Sequence, residues 1–214
     1  MRLPGRLGWP TWVTAPPAPG WPARLRDGDL VVRPLALADE HDWTRARQRN
    51  ADWLRPWEAT VPPRGDVRPT TYRQLVQRLH RAAREGTSMP FAIEVEGRLV
   101  GQVTVNNIVR GSALFASVGY WLDQAVAGRG IVPRAVALVV DHCFGAGGLH
   151  RIEVCVRPEN SNSLRVVEKL ELREVGYAPR YLHIDGDWRD HRIFAVTAEE
   201  VPLGLLARLR ASGG

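Results

Sequence analysis

Two hydrophobic rhythms divide this chain. Short apolar runs bounded by turn residues predict strands at Leu30 to Leu35, Phe91 to Val95, Leu99 to Asn106 and about Leu114 to Leu122. Others follow at Ile152 to Val156, about Glu174 to Ile184 and Trp188 to Val196. Glu96-Gly97 and Asp185-Gly186 separate neighbouring runs as hairpin turns do. Helical spacing fills the gaps. Asp39 heads a helix through Trp53, and Thr70 or Thr71 heads another with Leu75, Val76 and Leu79 on one face. Further helices are predicted from about Gly130 to Phe144 and from Asn160 to Leu170. Pro133 falls in the first turn of the former, where a missing N–H does no harm. The order is an antiparallel meander, then strand–helix–strand–helix, then a closing hairpin. It predicts a mixed α/β (α+β) domain without the regular alternation of a doubly wound nucleotide fold.

Residues 1–27 follow neither rhythm. Pro4, Pro10, Pro16, Pro17, Pro19 and Pro22 break them, and Trp9, Trp12 and Trp21 call for a surface to cover. They read as a Pro/Trp-rich N-terminal extension, with the domain over 28–201 and a C-terminal tail over 202–214. Trp57-Glu58 lies in a Pro-rich connection ending near Arg68.

Composition changes this picture little. A chain of 214 residues, 44% hydrophobic and 24% charged, suffices for one soluble domain with a full core. The net charge of +6 and pI near 10.1 permit acidic partners. Yet Lys169 is the only lysine among 29 basic residues, a usage that a GC-rich genome also produces, and no direct nucleic-acid contact is required. Cys143 and Cys155 sit in apolar surroundings without a CxxC or Cys/His cluster, so buried free thiols and no metal site are expected. No apolar run approaches the roughly 18 residues of a membrane span. The proline-broken start lacks a signal-peptide centre, so the chain is expected to be cytoplasmic and to have no membrane partner.

The chemistry concentrates between Gly119 and Lys169. Gly128-Arg129-Gly130 opens the apolar helix, where unpartnered N–H groups and the helix dipole favour an anion. The turn is neither a Walker A sequence nor GxGxxG. Arg129 is either a phosphate partner or a solvated side chain. A second polar helix start, Asn160 to Ser163, follows the next strand. Capping explains one or two of these residues, and no GxSxG elbow makes Ser163 a hydrolase nucleophile. Together the two junctions suggest a long phosphate-bearing cofactor lying across both. His142, His150, His183 and His191 lack metal-site spacing, and His150 reads as a junction residue.

The order Gly119-Tyr120-Trp121-Leu122, Gly128-x-Gly130, Arg157-Pro158-Glu159-Asn160-x-x-Ser163 and Glu168-Lys169 resembles the GNAT acetyltransferases. Within them it is similar to the RimJ/RimL group of ribosomal-protein alanine N-acetyltransferases, especially actinobacterial RimJ-like proteins. Leu54-Arg55-Pro56-Trp57-Glu58, His142-Cys143-Phe144-Gly145, Tyr181-Leu182-His183 and Trp188-Arg189-Asp190-His191 add to the likeness, which spans about Leu30 to Val201. Two positions depart from it. Ala125 stands where the family has Gln or Arg, and Glu171 where it has a helix-ending glycine.

The resemblance implies a GNAT fold: a mixed, mostly antiparallel central sheet, splayed at the cofactor site and flanked by helices. It implies acetyl-CoA (or CoA) as cofactor, with its pyrophosphate at the N–H groups of Ala127, Gly128, Arg129, Gly130 and Ile131. Tyr120, Trp121, Leu122, Asn160 and Ser163 would complete the cofactor site. The Leu122 N–H is the candidate oxyanion donor and Ser163 the candidate proton donor to the departing thiolate. Glu58 or Glu94 would hold the water that deprotonates the amine. Tyr120, Trp121, Tyr181 and His183 are candidates for the acceptor entrance. The implied reaction acetylates the α-amino group of a protein N-terminus, with the N-terminal alanine of a ribosomal protein as one candidate acceptor. A small-molecule amine acetyltransferase and a non-catalytic CoA-binding or ribosome-associated module are the alternatives. Monomer and homodimer both stay open.

Overall fold

The computed structural model describes residues 18–63 and 70–213. The expectations for residues 1–17, and for the end of the connection near Arg68, lie outside them. Strands β1 (Leu25–Asp27) and β2 (Leu30–Pro34) lead into helices α1 (Glu40–Arg49), α2 (Ala51–Leu54) and α3 (Tyr72–Arg84). Strands β3 (Met89–Val95), β4 (Arg98–Val109) and β5 (Phe115–Leu122) follow, then α4 (Ile131–Phe144), β6 (Arg151–Val156) and α5 (Ser161–Lys169). The hairpin β7 (Arg173–Ile184) and β8 (Asp187–Thr197) and a last helix, α6 (Leu205–Ala211), close the chain.

All eight strands form one sheet in the order β1-β2-β3-β4-β5-β6-β8-β7. Every pairing is antiparallel except β5–β6, where α4 supplies the crossover a parallel pair needs. That parallel pairing is short. Phe115, Ala116 and Ser117 pair with Arg151, Ile152 and Glu153, although the strands run on to Leu122 and Val156. Beyond Ser117 the two strands part, and the sheet opens in its middle.

Local signals explain most elements. Glu96 (φ 51°) and Gly97 (φ 77°) form a two-residue hairpin turn with both residues left-handed. Thr71 and Gln74 build a reciprocal capping box at the start of α3. The helix expected from Asp39 through Trp53 breaks at Asn50, whose side chain bonds the Ala46 carbonyl at 2.7 Å and competes with the backbone ladder. The Asp39 carboxylate binds Arg33 and the Ala36 N–H instead of capping α1.

The core lies mainly between the sheet and α4, whose Ala135, Val136, Val139, Val140 and Cys143 are fully buried. A smaller cluster of Leu35, Tyr72, Val76, Ala92 and Leu99 sits under α1 and α3 on the other face. The expected boundaries at 28 and 201 cut through this packed unit. Trp21 is buried edge-on to Phe91 at 5.2 Å, and β1 pairs with β2 before residue 28. The C-terminal stretch is a helix rather than a tail, because Leu205 and Leu209 are buried and the Asp141 carboxylate accepts the N–H groups of Leu205 (2.5 Å) and Leu206 (3.1 Å).

Glu171 does adopt the strained conformation that its place in the sequence implies. It sits at φ 50°, with its N–H bonded to the Glu168 carbonyl and the Leu172 N–H to the Val167 carbonyl, closing α5 in a Schellman pattern. A left-handed conformation costs an L-residue about 1 kcal/mol that glycine avoids. Glu171→Gly is therefore expected to raise the unfolding free energy by about 1 kcal/mol in denaturant melts. A neutral or destabilising result would contradict this account of the helix end.

Candidate active site

The parting of β5 and β6 creates two clefts that meet. The larger, about 840 Å³, runs from Gly128 and Gly130 past Leu122 to Trp43, Trp57 and Glu58. The smaller, about 510 Å³, is lined by Ser117, Cys155, Tyr181, Leu182 and His191 among others. Tyr120, Asn160 and Ser163 line both.

At one end of the larger cleft, Gly128 (φ 80°) and Gly130 (φ 71°) hold left-handed conformations that only glycine adopts cheaply. A Cβ on either would meet no atom within 4 Å, so backbone shape, not crowding, selects glycine. Among the described residues, the N–H groups of Gly128, Arg129 and Gly130 have no hydrogen-bond partner. Those of Ile131 and Val132 lack one as the first turn of a helix must. Five consecutive donors at a helix start fit a pyrophosphate. Ala127 does not join them: its N–H bonds the Gln124 carbonyl at 3.1 Å, although the residue lines the cleft. Arg129 is likewise not in the lining, and its charge acts on Asp29, so its side chain is no part of the cradle. The absence of a longer side chain at Ala125 leaves the cradle intact, since the Ala125 N–H is bonded to Asp123 at 3.2 Å.

Two residues that the sequence did not single out hold this loop. Asp123 is 4% exposed and accepts from Arg49 Nε (3.0 Å), Asn50 Nδ2 (2.9 Å) and Ala125 N–H. Asn50 Oδ1 in turn accepts the Gln124 N–H at 2.9 Å. Burial pushes the Asp123 carboxyl up, but the hydrogen bonds from Arg49, Asn50 and Ala125 outweigh it and hold its pKa below 3.8. The end of α1 is thus stapled to the start of the cradle.

Leu122 stands where the sheet opens. The Asp123 N–H bonds the Val100 carbonyl at 2.8 Å, so alternation along β5 turns the Tyr120 and Leu122 N–H groups away from β4. They face the gap left by β6. Across it, Asn160 caps α5 through Oδ1, which accepts the Ser163 N–H at 3.0 Å. The amide Nδ2 of Asn160 has no protein partner among the described residues. Burial pushes the Tyr120 phenol up to about 12.

The far end of the larger cleft is aromatic. Arg47 lies 5.6 Å from the Trp43 ring and 5.3 Å from the Trp121 ring, and pairs with Glu58. Glu58 therefore lies in the cleft, but Glu94 does not: it is tied to Arg33 Nε at 2.7 Å away from the lining. His183 is also outside both clefts. Its Nδ1 meets Thr60 Oγ1 at 2.8 Å and fastens the hairpin to the connection after α2. Tyr181 does line the smaller cleft, beside His191, whose imidazole pKa is lowered by burial. Cys143 is buried as expected, but Cys155 is only half-buried and lines the smaller cleft; burial pushes its thiol up to about 11. Among the described residues no His, Cys, Asp and Glu cluster could hold a metal, and no helix is long and apolar enough to cross a membrane.

Known proteins agree with this geometry. Residues 29–173 match the model of the acetyltransferase (GNAT) domain. The probable N-acetyltransferase YjcK of Bacillus subtilis is 33% identical over 80% of this chain and 96% of its own length. The [ribosomal protein uS5]-alanine N-acetyltransferase of Escherichia coli is 29% identical over 83% of this chain and 92% of its own. Mycobacterium smegmatis RimJ, solved in complex with CoA-disulfide, superposes with a TM-score of 0.84 at 40% identity, covering 91% of this chain and 97% of that one. A splayed mixed sheet with a helix-start cradle at its opening, matched over most of the domain by these relatives, makes the chain a member of the GNAT family: an N-acetyltransferase that uses acetyl-CoA.

Proposed function

We propose that the acceptor is the α-amino group of a protein N-terminus, with ribosomal proteins as the acceptor class. The observation that carries this reading is the second cleft. It reaches Tyr120, Asn160 and Ser163 from between β5 and the β7–β8 hairpin, apart from the glycine cradle, and so gives an extended chain its own approach. The name of the E. coli relative supports the acceptor class.

Bound acetyl-CoA supplies the thioester carbonyl that the amine attacks. The N–H groups from Gly128 to Val132 hold its pyrophosphate, and the Asn160 amide orients its arm. The Leu122 N–H stabilises the oxygen on which negative charge develops, a task that rewards a donor fixed in place beforehand. Ser163 gives a proton to the leaving sulfur. Glu58, through water, takes the proton of the amine, which needs little help because an α-amino group titrates near 7.7–8.0. An acceptor of this class makes the enzyme a cytoplasmic one.

Acetyl-CoA with two panels tests the reading: peptides carrying varied N-termini, ribosomal ones included, and small amines such as polyamines and aminoglycosides. Mass spectrometry is expected to find acetyl on the α-amine of peptides. Acetylation of small amines alone, or of nothing, would overturn it.

A further inference from the structure

Tyr120 carries a feature that cofactor binding does not explain. It projects from β5 at the point where both clefts meet, and its hydroxyl is buried without a hydrogen-bond partner of good geometry. Leaving a buried phenol unpaired costs about 1–3 kcal/mol, so an orphan of this kind calls for a role. Ser163 lines both clefts with it and is the polar side chain whose proximity shifts its acidity. Ser163 is itself fixed at its backbone by the Asn160 cap, and its hydroxyl makes no other hydrogen bond among the described residues.

A serine hydroxyl has one proton and two lone pairs. Left alone, it rotates and divides that proton among several acceptors. A neighbour that donates to it occupies one lone pair and narrows the directions its own proton can take. Tyr120 has a proton to donate, because burial pushes its phenol up to about 12 and keeps it protonated at pH values where an α-amine is already free.

We infer that Tyr120 is a positioning residue for acetyl transfer: its phenol donates to Ser163 Oγ and directs the single Ser163 proton at the leaving sulfur. The inference rests on the role of Ser163 proposed above. Ser163 gives up its proton as the C–S bond breaks and sulfur keeps the electron pair. The proton that the attacking nitrogen sheds through water to Glu58 is passed back through water to Ser163, so both hydroxyls and the carboxylate end as they began.

Calorimetry at pH 9 with CoA and desulfo-CoA reads the hydroxyl pair without turnover. The native enzyme is expected to bind CoA about tenfold more tightly than desulfo-CoA, since a charge-assisted hydrogen bond to sulfur is present only in the first. Tyr120→Phe, which keeps the ring, and Ser163→Ala are both expected to bind the two ligands alike. In turnover, Tyr120→Phe is expected to lower kcat about tenfold with KM for acetyl-CoA unchanged. If Ser163→Ala loses the preference while Tyr120→Phe keeps both it and the native kcat, Tyr120 is idle and this inference falls alone. If Ser163→Ala keeps native values in both measurements, the proposed role of Ser163 falls with it. If Tyr120→Phe weakens both ligands equally and raises KM, the hydroxyl serves packing, which also overturns the inference.

Discussion

Asp123→Ala is expected to lower the unfolding free energy by about 3 kcal/mol, and hence the melting temperature by roughly 6–12 °C for a chain of this size. The carboxylate is 4% exposed and accepts hydrogen bonds from three residues. Removing it strands the Ala125 N–H and leaves Asn50 Nδ2 with only the Ala46 carbonyl. Arg49 is half-exposed and recovers water, which keeps the cost at the lower end of that for a broken buried pair. The sign with pH follows from the direction of the shift. Asp123 has its pKa lowered on folding, so its contribution is present above the unfolded value and disappears as pH falls through the folded one. Native and variant stabilities should therefore converge in acid. Thermal and denaturant melts at neutral and acidic pH check both claims; equal stability at neutral pH would remove the staple. Because that staple joins α1 to the start of the cradle, CoA affinity should fall as well.

The same staple shows where sequence reading stops. The glycine turn, a threonine cap at Thr70 or Thr71, and the polar helix start from Asn160 to Ser163 were legible because each works within a few residues: the φ angle or the cap is written beside the helix it starts. The splay was legible only through family order, since nothing in β5 or β6 announces that their pairing ends at Ser117 and Glu153. Asn50 and Asp123 are 73 positions apart, and each alone reads as an ordinary polar residue near a helix end. Glu58 and Glu94 were indistinguishable for a similar reason. Their roles depend on which arginine the fold brings up, Arg47 inside the cleft or Arg33 outside it. The last helix was missed because seven residues carry too little periodicity. What holds it is Asp141, far away on α4, as much as its own pattern.

Gly130→Val is expected to weaken CoA binding by roughly 5–150-fold. The position is left-handed at φ 71°, ψ 9°, and a β-branched residue there costs about 1–3 kcal/mol. Nothing lies within 4 Å of an added Cβ, so the strain at this position comes from the backbone conformation and not from a Cβ contact. The chain escapes that strain by rotating φ, and the rotation swings the Arg129, Gly130 and Ile131 N–H groups out of convergence. Binding the pyrophosphate must then restore the strained conformation, and 1–3 kcal/mol corresponds to roughly 5–150-fold in affinity. Gly111→Val separates strain from function. Gly111 also has positive φ (76°) and open space around a Cβ, but it lies in the turn between β4 and β5, outside both clefts. Both positions impose the same left-handed backbone, and only Gly130→Val should lose affinity for CoA in calorimetry. Equal affinities would mean that the five N–H groups are not the phosphate site.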